Sequence, residues 1–430
     1  MSFWVFTQNK TYYDSLTYYQ FISNQHKKVI KTGKKALKND IDFYYLRYRM
    51  AYSNFELKKY IQCIPHFKAL LEMNPSDEIA MEYLYYCYLE TGQTINAYKL
   101  SKEFSSLLKQ KLSISDKKLD YVSMNYGHLN NKNISENEDK NYITKPKSAS
   151  ESSLQAKLEI VDLSLRSHLG KKGLLDFQSS YFLSSSKLIG QVDAARYVFD
   201  EKNNNLQFNL VYSHLGKRNW KMSTGLAYFY NSVSDLVNHK PITNSSGQVI
   251  KAPYFTDTLF KYNAYLFSLR TEKVGKTIQP IFALSYAQLF SVPHIQLSLG
   301  LSYYPFGGMR FYGKTMLYIL SKGRGTVEPI MHQILGIQLY KNIWLESVFM
   351  SGEMQNVNLD NGILTFNTAD PIKTNVGFDL LFRLKKLSII PSYRYQIRAF
   401  DVNVINNNKT TFKTTSYSNN ILNLTLKWHF

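Results

Sequence analysis

Basic side chains recur at alternate positions through the second half of the chain. Arg166 ends the alternation Val161, Leu163, Leu165 against Asp162, Ser164, Arg166. Arg383 stands opposite Val376, Phe378, Leu380, Phe382 and Leu384. Arg394 and Arg398 oppose Tyr393, Tyr395 and Ile397, and Lys427 opposes Leu426 and Trp428. Arg310 and Lys314 join the set if Phe311 and Leu317 take the other face. Asp162 and Asp379 are the neighbouring acids. Cations on one face of a low-dielectric wall do electrostatic work: they attract anionic solutes and focus the field on the space they line. The competing reading is that these charges pair across a filled interior and fix the wall.

Covalent and metal chemistry find little to stand on. There is no nucleophile elbow, no glycine loop that would cradle a phosphate, and no cluster with metal-ligand spacing. No cofactor is expected. His168, His294 and His332 could serve a hydrolase at the rim of a barrel, but a lone histidine near a strand end is far more often an interfacial or satisfied residue. Gly307-Gly308 and Gly323-Arg324-Gly325 read as turns. Cys63 and Cys87 fall in helical patterns and read as buried thiols, with a disulfide between them as the minor alternative.

The elements that position the basic set are strands. A period of two is the signature of a strand with two unlike faces. It is cleanest at the end of the chain, where Leu422, Leu424, Leu426, Trp428 and Phe430 oppose Asn423, Thr425, Lys427 and His429. Ile295, Leu297, Leu299, Leu301 and Tyr303 repeat the pattern. Counting every candidate predicts about 14 strands, at 157–168, 174–183, 188–199, 205–214, 218–232, 258–271, 277–290, 293–304, 309–321, 328–340, 342–354, 372–384, 386–400 and 416–430. An even number suits an antiparallel barrel whose ends share one side. The links after even-numbered strands are short (184–187, 215–217, 272–276, 305–308, 341, 385), and the long ones (233–257, 355–371, 401–415) follow odd-numbered strands. A sandwich has no reason to sort its links in this way; a barrel across a membrane does. Tyr303, Tyr304, Phe306, Tyr340, Trp344, Trp428 and Phe430 near the strand ends suit interfacial aromatic belts.

Residues 1–111 read differently. Ile64, Phe67 and Leu71 recur at helical spacing. Asn74-Pro75-Ser76-Asp77 stops one helix and caps the next. With frames set at Lys10, Tyr44 and Glu78 the pattern repeats about every 34 residues. Packing positions are then Ala51, Tyr60, Phe67 and Pro75 in the middle frame and Tyr88, Gly92 and Ala97 in the third. Pro65 falls inside a helix unless that helix starts late. Residues 112–156, rich in Asn, Ser and Lys, read as a flexible linker, and 157–430 as the barrel.

Composition narrows the field further. The chain has 430 residues and a formal charge of +20, with the excess heavier after residue 150, and it is rich in tyrosine (34) and phenylalanine (26). The excess suits anionic lipid headgroups or an acidic polymer; nucleic acid is not expected as a partner. No apolar run approaches the length of a membrane helix. The start, Phe3-Trp4-Val5-Phe6 before Thr7-Gln8, looks like the tail of an export signal missing or truncated here, with a frayed apolar terminus as the alternative.

The helical frames resemble tetratricopeptide repeats, and the final strand, ending on Phe430, resembles the closing strand of bacterial outer-membrane barrels. In that family the terminal pattern, here Leu424, Leu426, Trp428 and Phe430, is read by the barrel-assembly machinery. The order of parts resembles exopolysaccharide-export porins and YaiO-type barrels. The resemblance implies an α plus transmembrane β protein. Its helical arm is periplasmic, with a protein or an anionic polysaccharide as partner. Its barrel, set in outer-membrane lipid, is a channel for an anionic polymer or solute. A sealed barrel that anchors the arm as an interaction scaffold is the alternative, and a barrel hydrolase a remote one.

Overall fold

The computed structural model describes residues 2–114, 117–131, 134–139, 148–192, 195–239, 242–243, 249–251, 254–289, 292–321, 327–362, 364–365, 371–406 and 409–430. Seven helices come first: α1 (Ser2–Ile22), α2 (His26–Lys38), α3 (Tyr44–Glu56), α4 (Tyr60–Met73), α5 (Glu78–Leu89), α6 (Thr94–Ser101) and α7 (Ser106–Lys111). The α2, α4 and α6 starts, like those of α3 and α5, repeat at the interval expected from the sequence, and consecutive helices pack on one another. Asp77 caps α5 by accepting from Ala80 N–H at 3.0 Å and also takes a hydrogen bond from the Tyr44 hydroxyl. Side-chain capping satisfies a donor that the first turn of a helix leaves open. Helix α4 starts at Tyr60 and runs through Pro65, so a late start is not how the proline is accommodated.

The arm has an apolar interior. Ala51, Cys63, Phe67, Leu70, Cys87, Tyr88 and Ala97 are buried in one cluster, with Tyr60 at its margin. Both cysteines are free. Pro75 lies in the turn between α4 and α5, and Gly92, at φ +68°, turns the chain from α5 toward α6.

The rest of the chain rolls into a closed antiparallel barrel of 14 strands. They are β1 (Leu119–Asn130), β2 (Ser148–Leu169), β3 (Gly173–Val192), β4 (Ala195–Leu215), β5 (Trp220–His239), β6 (Tyr254–Lys273) and β7 (Ile278–Leu289). Then follow β8 (Val292–Tyr303), β9 (Phe311–Ser321), β10 (Val327–Tyr340), β11 (Ile343–Met354), β12 (Ile372–Leu384), β13 (Leu387–Asn406) and β14 (Lys409–His429). A short helix, α8 (Ile134–Asp139), sits in the β1–β2 link.

The expected number is reached by a different count. Leu119–Asn130, inside the stretch read as linker, is β1; it pairs with both β14 and β2 and closes the barrel. The barrel therefore begins near residue 119, not 157. Its pattern is a proper strand pattern: Met124 faces Leu426 and Leu163 across the two ladders, and Asn125 faces Thr425 and Asp162. The Asn- and Lys-rich surroundings hid that short alternation. Conversely, the two strands expected at 174–183 and 188–199 belong largely to one, β3, which runs straight through Ser184-Ser185-Ser186. The long link expected at 401–415 is also mostly strand, because β13 and β14 pair out to Asn406 and Lys409.

The last two differences share a cause. Strands β2 to β6, β13 and β14 are 20–22 residues long, whereas β7 to β12 have 11–14. A membrane strand needs only about 9–11 residues. One side of the wall thus rises well beyond a membrane's apolar core, and its polar upper half reads as loop in sequence.

Link sorting survives these corrections. The links 170–172, 216–219, 274–277, 304–310, 341–342 and 385–386 share one rim, with the start of β1 and with Phe430. All the long links, 131–147, 240–253 and 355–371, belong to the other. The outer wall is apolar: Leu163, Leu297, Leu301, Phe378, Leu424 and Trp428 are all exposed there. The inner wall is polar, with Ser123 bonded to Ser164 at 2.6 Å and Asn125 donating to Asp162 at 2.8 Å. A closed sheet, apolar outside and polar inside, satisfies every backbone group within lipid and is the transmembrane arrangement.

Candidate functional site

The candidate site is the lumen. Strand alternation points each second residue of the wall into it, and the expected basic set divides into three groups there. Arg166, Lys314 and Arg394 each meet a carboxylate. Arg166 Nε lies 2.6 Å from Asp176 Oδ1. Arg394 Nη2 donates to Asp379 Oδ2 at 2.8 Å, and its Nη1 lies 2.7 Å from Asp379 Oδ1. Lys314 Nζ lies 2.7 Å from Asp360 Oδ1. Arg398 and Lys427 are compensated differently. Arg398 is 2% exposed and donates to Gln396 at 3.2 Å, while its Nε has no hydrogen-bond partner among the described residues. Lys427 sits over the Tyr121 ring, 3.5 Å from its centre.

Arg310 and Arg383 belong to the short-turn rim. Arg310 lies in the 304–310 link beside Tyr60 of the arm. Arg383 closes β12 near Glu90 of the arm. Burial at this rim raises the Glu90 carboxyl above the ordinary carboxylate range, and Arg383 and Lys58 oppose that rise.

Several charged lumen residues were not expected from sequence. Glu272 accepts from Arg270 at 2.6 Å and pairs with Lys221. Glu346 takes a hydrogen bond from the Tyr312 hydroxyl. The stretches 261–270 and 343–350 show no clear phase in sequence, because the inner wall also carries Ala227, Phe229, Leu266 and Met316. Without a clean phase the acids could not be set against the bases, and the expected surplus of cations was overcounted.

The described part of the 355–371 link turns into the barrel. Val357 and Leu359 pack with Ile330, Met350, Met354 and Ile372 of the wall. Asn358 N–H donates to Gln296 Oε1 at 2.9 Å, and Gln296 Nε2 donates back to Asn358 O at 2.7 Å. Gln207 donates to Gly362 O at 3.1 Å. Asp360 is the charged end of this inner loop, held by Lys314 from one side and by Arg270 Nη1, 3.1 Å away, from another.

The arm covers the opposite mouth. Ile61 N–H donates to Gly307 O at 2.8 Å, and Met309 N–H donates to Glu90 O at 3.1 Å. Gly307, at φ +75°, sits so close to the arm that a Cβ there would clash with the Gln62 side chain. Tyr98 of α6 stacks on His168 with ring centres 3.6 Å apart, and Ile95 fills an apolar notch of Leu174, Leu215 and Val274. Between this cover and the wall lies a cavity of about 280 Å³.

His332 contacts Tyr318 inside the lumen, and His294 is buried on β8. Of the rim aromatics, Phe306, Tyr340, Trp428 and Phe430 are exposed, as interfacial residues would be. Tyr304 and Trp344 turn inward instead: Tyr304 lines the cavity and Trp344 donates to Met309 O at 3.2 Å. Gly323-Arg324-Gly325 lies outside the described residues.

No protein-family model matches the chain, and no curated protein matches it. Among solved structures, a FadL homologue from Pseudomonas aeruginosa superposes with a TM-score of 0.44 at 9% identity, covering 74% of this chain and 92% of that one. The toluene transporter TodX of Pseudomonas putida gives 0.43 at 8%, covering 74% and 91%. The translocator domain of the autotransporter NalP from Neisseria meningitidis gives 0.27 at 8%, covering 80% and 99%. At these values the likeness carries no argument about what this chain does.

Proposed function

We propose that the protein is an outer-membrane channel for anionic solutes or a thin anionic polymer, closed at two levels: by the inner loop and by the arm. The arm lies on the periplasmic side, with the short turns, and serves there as a docking module of tetratricopeptide type for a periplasmic protein or the polymer itself. Leu424, Leu426, Trp428 and Phe430 lie open on the outer wall for the barrel-assembly machinery to read.

The observation that carries this reading is the Asp360 latch. An inner loop that only filled a barrel would need no charge. This one is pinned by a carboxylate shared between Lys314 and Arg270, in a lumen lined with groups that water can solvate. Charge-assisted bonds in a wet lumen can exchange with water and so can open. Arg398 and Lys427, which meet no carboxylate at ion-pair distance among the described contacts, supply a modest anion preference.

Planar bilayers test the proposal. Wild-type protein passes ions in rare, small steps with anions favoured, and Asp360→Asn raises the open time severalfold. Silent bilayers for both would overturn it. The seated arm favours a second reading, a sealed anchor; that reading gains if conductance is absent while the full chain still captures a periplasmic partner through the arm.

A further inference from the structure

The cavity under the arm is walled by both parts of the molecule. The barrel contributes Arg166, Lys221 and Arg270 against Asp176 and Glu272; the arm contributes Gln93 and Asn96 from above. Its five ionic groups carry three positive and two negative charges, an excess of one positive charge. Three of the five are sheltered, the side chains of Arg270, Glu272 and Asp176 being 14, 13 and 13% exposed, while those of Arg166 and Lys221 are 29 and 28% exposed. Each cation meets a carboxylate, and adding Asp360, which Arg270 also reaches, together with its partner Lys314 leaves the same surplus of one positive charge; a surplus held this far from bulk water is costly. Lining hydroxyl and amide groups, Ser213, Ser302 and Tyr304 among them, supply donors and acceptors around the ionic core.

We propose that this cavity is a binding site for a compact, hydroxyl-bearing monoanion, a small hydroxy or sugar acid whose carboxylate neutralises the chamber. Its carboxylate competes with Glu272 for Lys221 and Arg270, and its hydroxyls bond the lining Ser213 and Ser302. The volume falls just under the range typical of drug-sized ligands, so the occupant is a single small unit, not a length of polymer. The arm completes the site, since Gln93 and Asn96 form its roof. Arg270 also reaches Asp360, so the ligand and the inner loop draw on one guanidinium. This deepens the reading of the lumen as a path for anions, yet it is tested apart from conduction.

The test is calorimetric titration of the purified full chain in detergent with glucuronate, lactate and glucose. Glucuronate or lactate binds, and glucose binds about tenfold more weakly or not at all. Two substitutions have opposite expected signs. Lys221→Met removes the excess charge and weakens the acid about tenfold; Glu272→Gln removes the internal competitor and tightens it. Asn96→Leu, on the arm, weakens it without touching the barrel. Heat-modifiable gel migration confirms that each variant's barrel is closed. A damaged fold would weaken binding in both barrel variants, so movement in the same direction overturns the proposal. So does no heat from either acid, or equal affinity for glucose and glucuronate. Selective binding with silent bilayers would remove the channel and keep the site; conducting bilayers without acid binding would do the reverse.

Discussion

The arm and the barrel bury opposite chemistries. In the arm, Phe67, Leu46, Met50 and Leu70 are fully enclosed and most charges stay outside. In the barrel, Leu297, Leu424 and Phe378 face outward, while Arg394 and Asp379 are paired inside. One chain satisfies two solvents with the same rule: apolar surface goes wherever water is not. The arm is held by exclusion of water from its interior. The barrel is held by its closed ladder of backbone bonds, and lipid replaces the core.

The largest expected effect separates the two halves. Phe67→Ala empties a fully buried site in the arm and costs about 3–5 kcal/mol, so the helical signal melts early while the barrel keeps its heat-modifiable migration. Leu297→Ala, at an outward position, leaves no enclosed cavity and costs much less. Circular dichroism melts of both variants check the contrast; equal losses would break it. The next effect reverses the chemistry at one position. Leu297→Arg puts a charge on the lipid face of a short strand and costs about 2–4 kcal/mol near the membrane midplane, in a depth-dependent way. Folding titrations in lipid vesicles measure it. A cost near zero would mean that β8 meets water rather than lipid.

The same contrast explains what sequence could show. Outward faces were legible because lipid demands an unbroken run of apolar side chains, as at Ile295, Leu297, Leu299 and Leu301, or from Leu422 through Trp428. The arm was legible because Cys63 and Ala97, 34 residues apart, fall in the same interior as Ala51, Phe67 and Tyr88. Inner faces were less so. A lumen tolerates Ser, Asn, Leu or Phe side by side, so the phase of β6, β10 and β11 could not be read, and Arg270, Glu272 and Glu346 went unseen. The inner loop was invisible for a different reason. Nothing in 355–371 says whether a long link folds out or in; the decision rests on Gln207, Gln296, Arg270 and Lys314, which lie far away in sequence. Partners brought together only by closure leave no local pattern.

The smallest effect concerns pH and belongs to the arm alone. His66 is half-buried on α4, and Arg47 Nη1 lies 3.1 Å from its Nδ1. Burial first, and then the Arg47 charge, push the imidazole from 6.5 down to about 4, with Asp42 opposing only in part. The folded arm therefore holds His66 neutral, with Nδ1 free to accept from Arg47. An unfolded arm takes up a proton once the pH falls below about 6.5. The stability that this residue contributes is complete above that value and drains away as the pH drops toward 4, because the unfolded state then binds more protons than the folded one. The helical melting midpoint of the full chain should accordingly be lower at pH 4.5 than at pH 7.5. His66→Gln keeps an acceptor for Arg47 but cannot titrate, so it should narrow that difference. An unchanged difference in the variant would assign the acid sensitivity to other groups, and an equal acid shift in barrel migration would mean that the two halves do not melt separately.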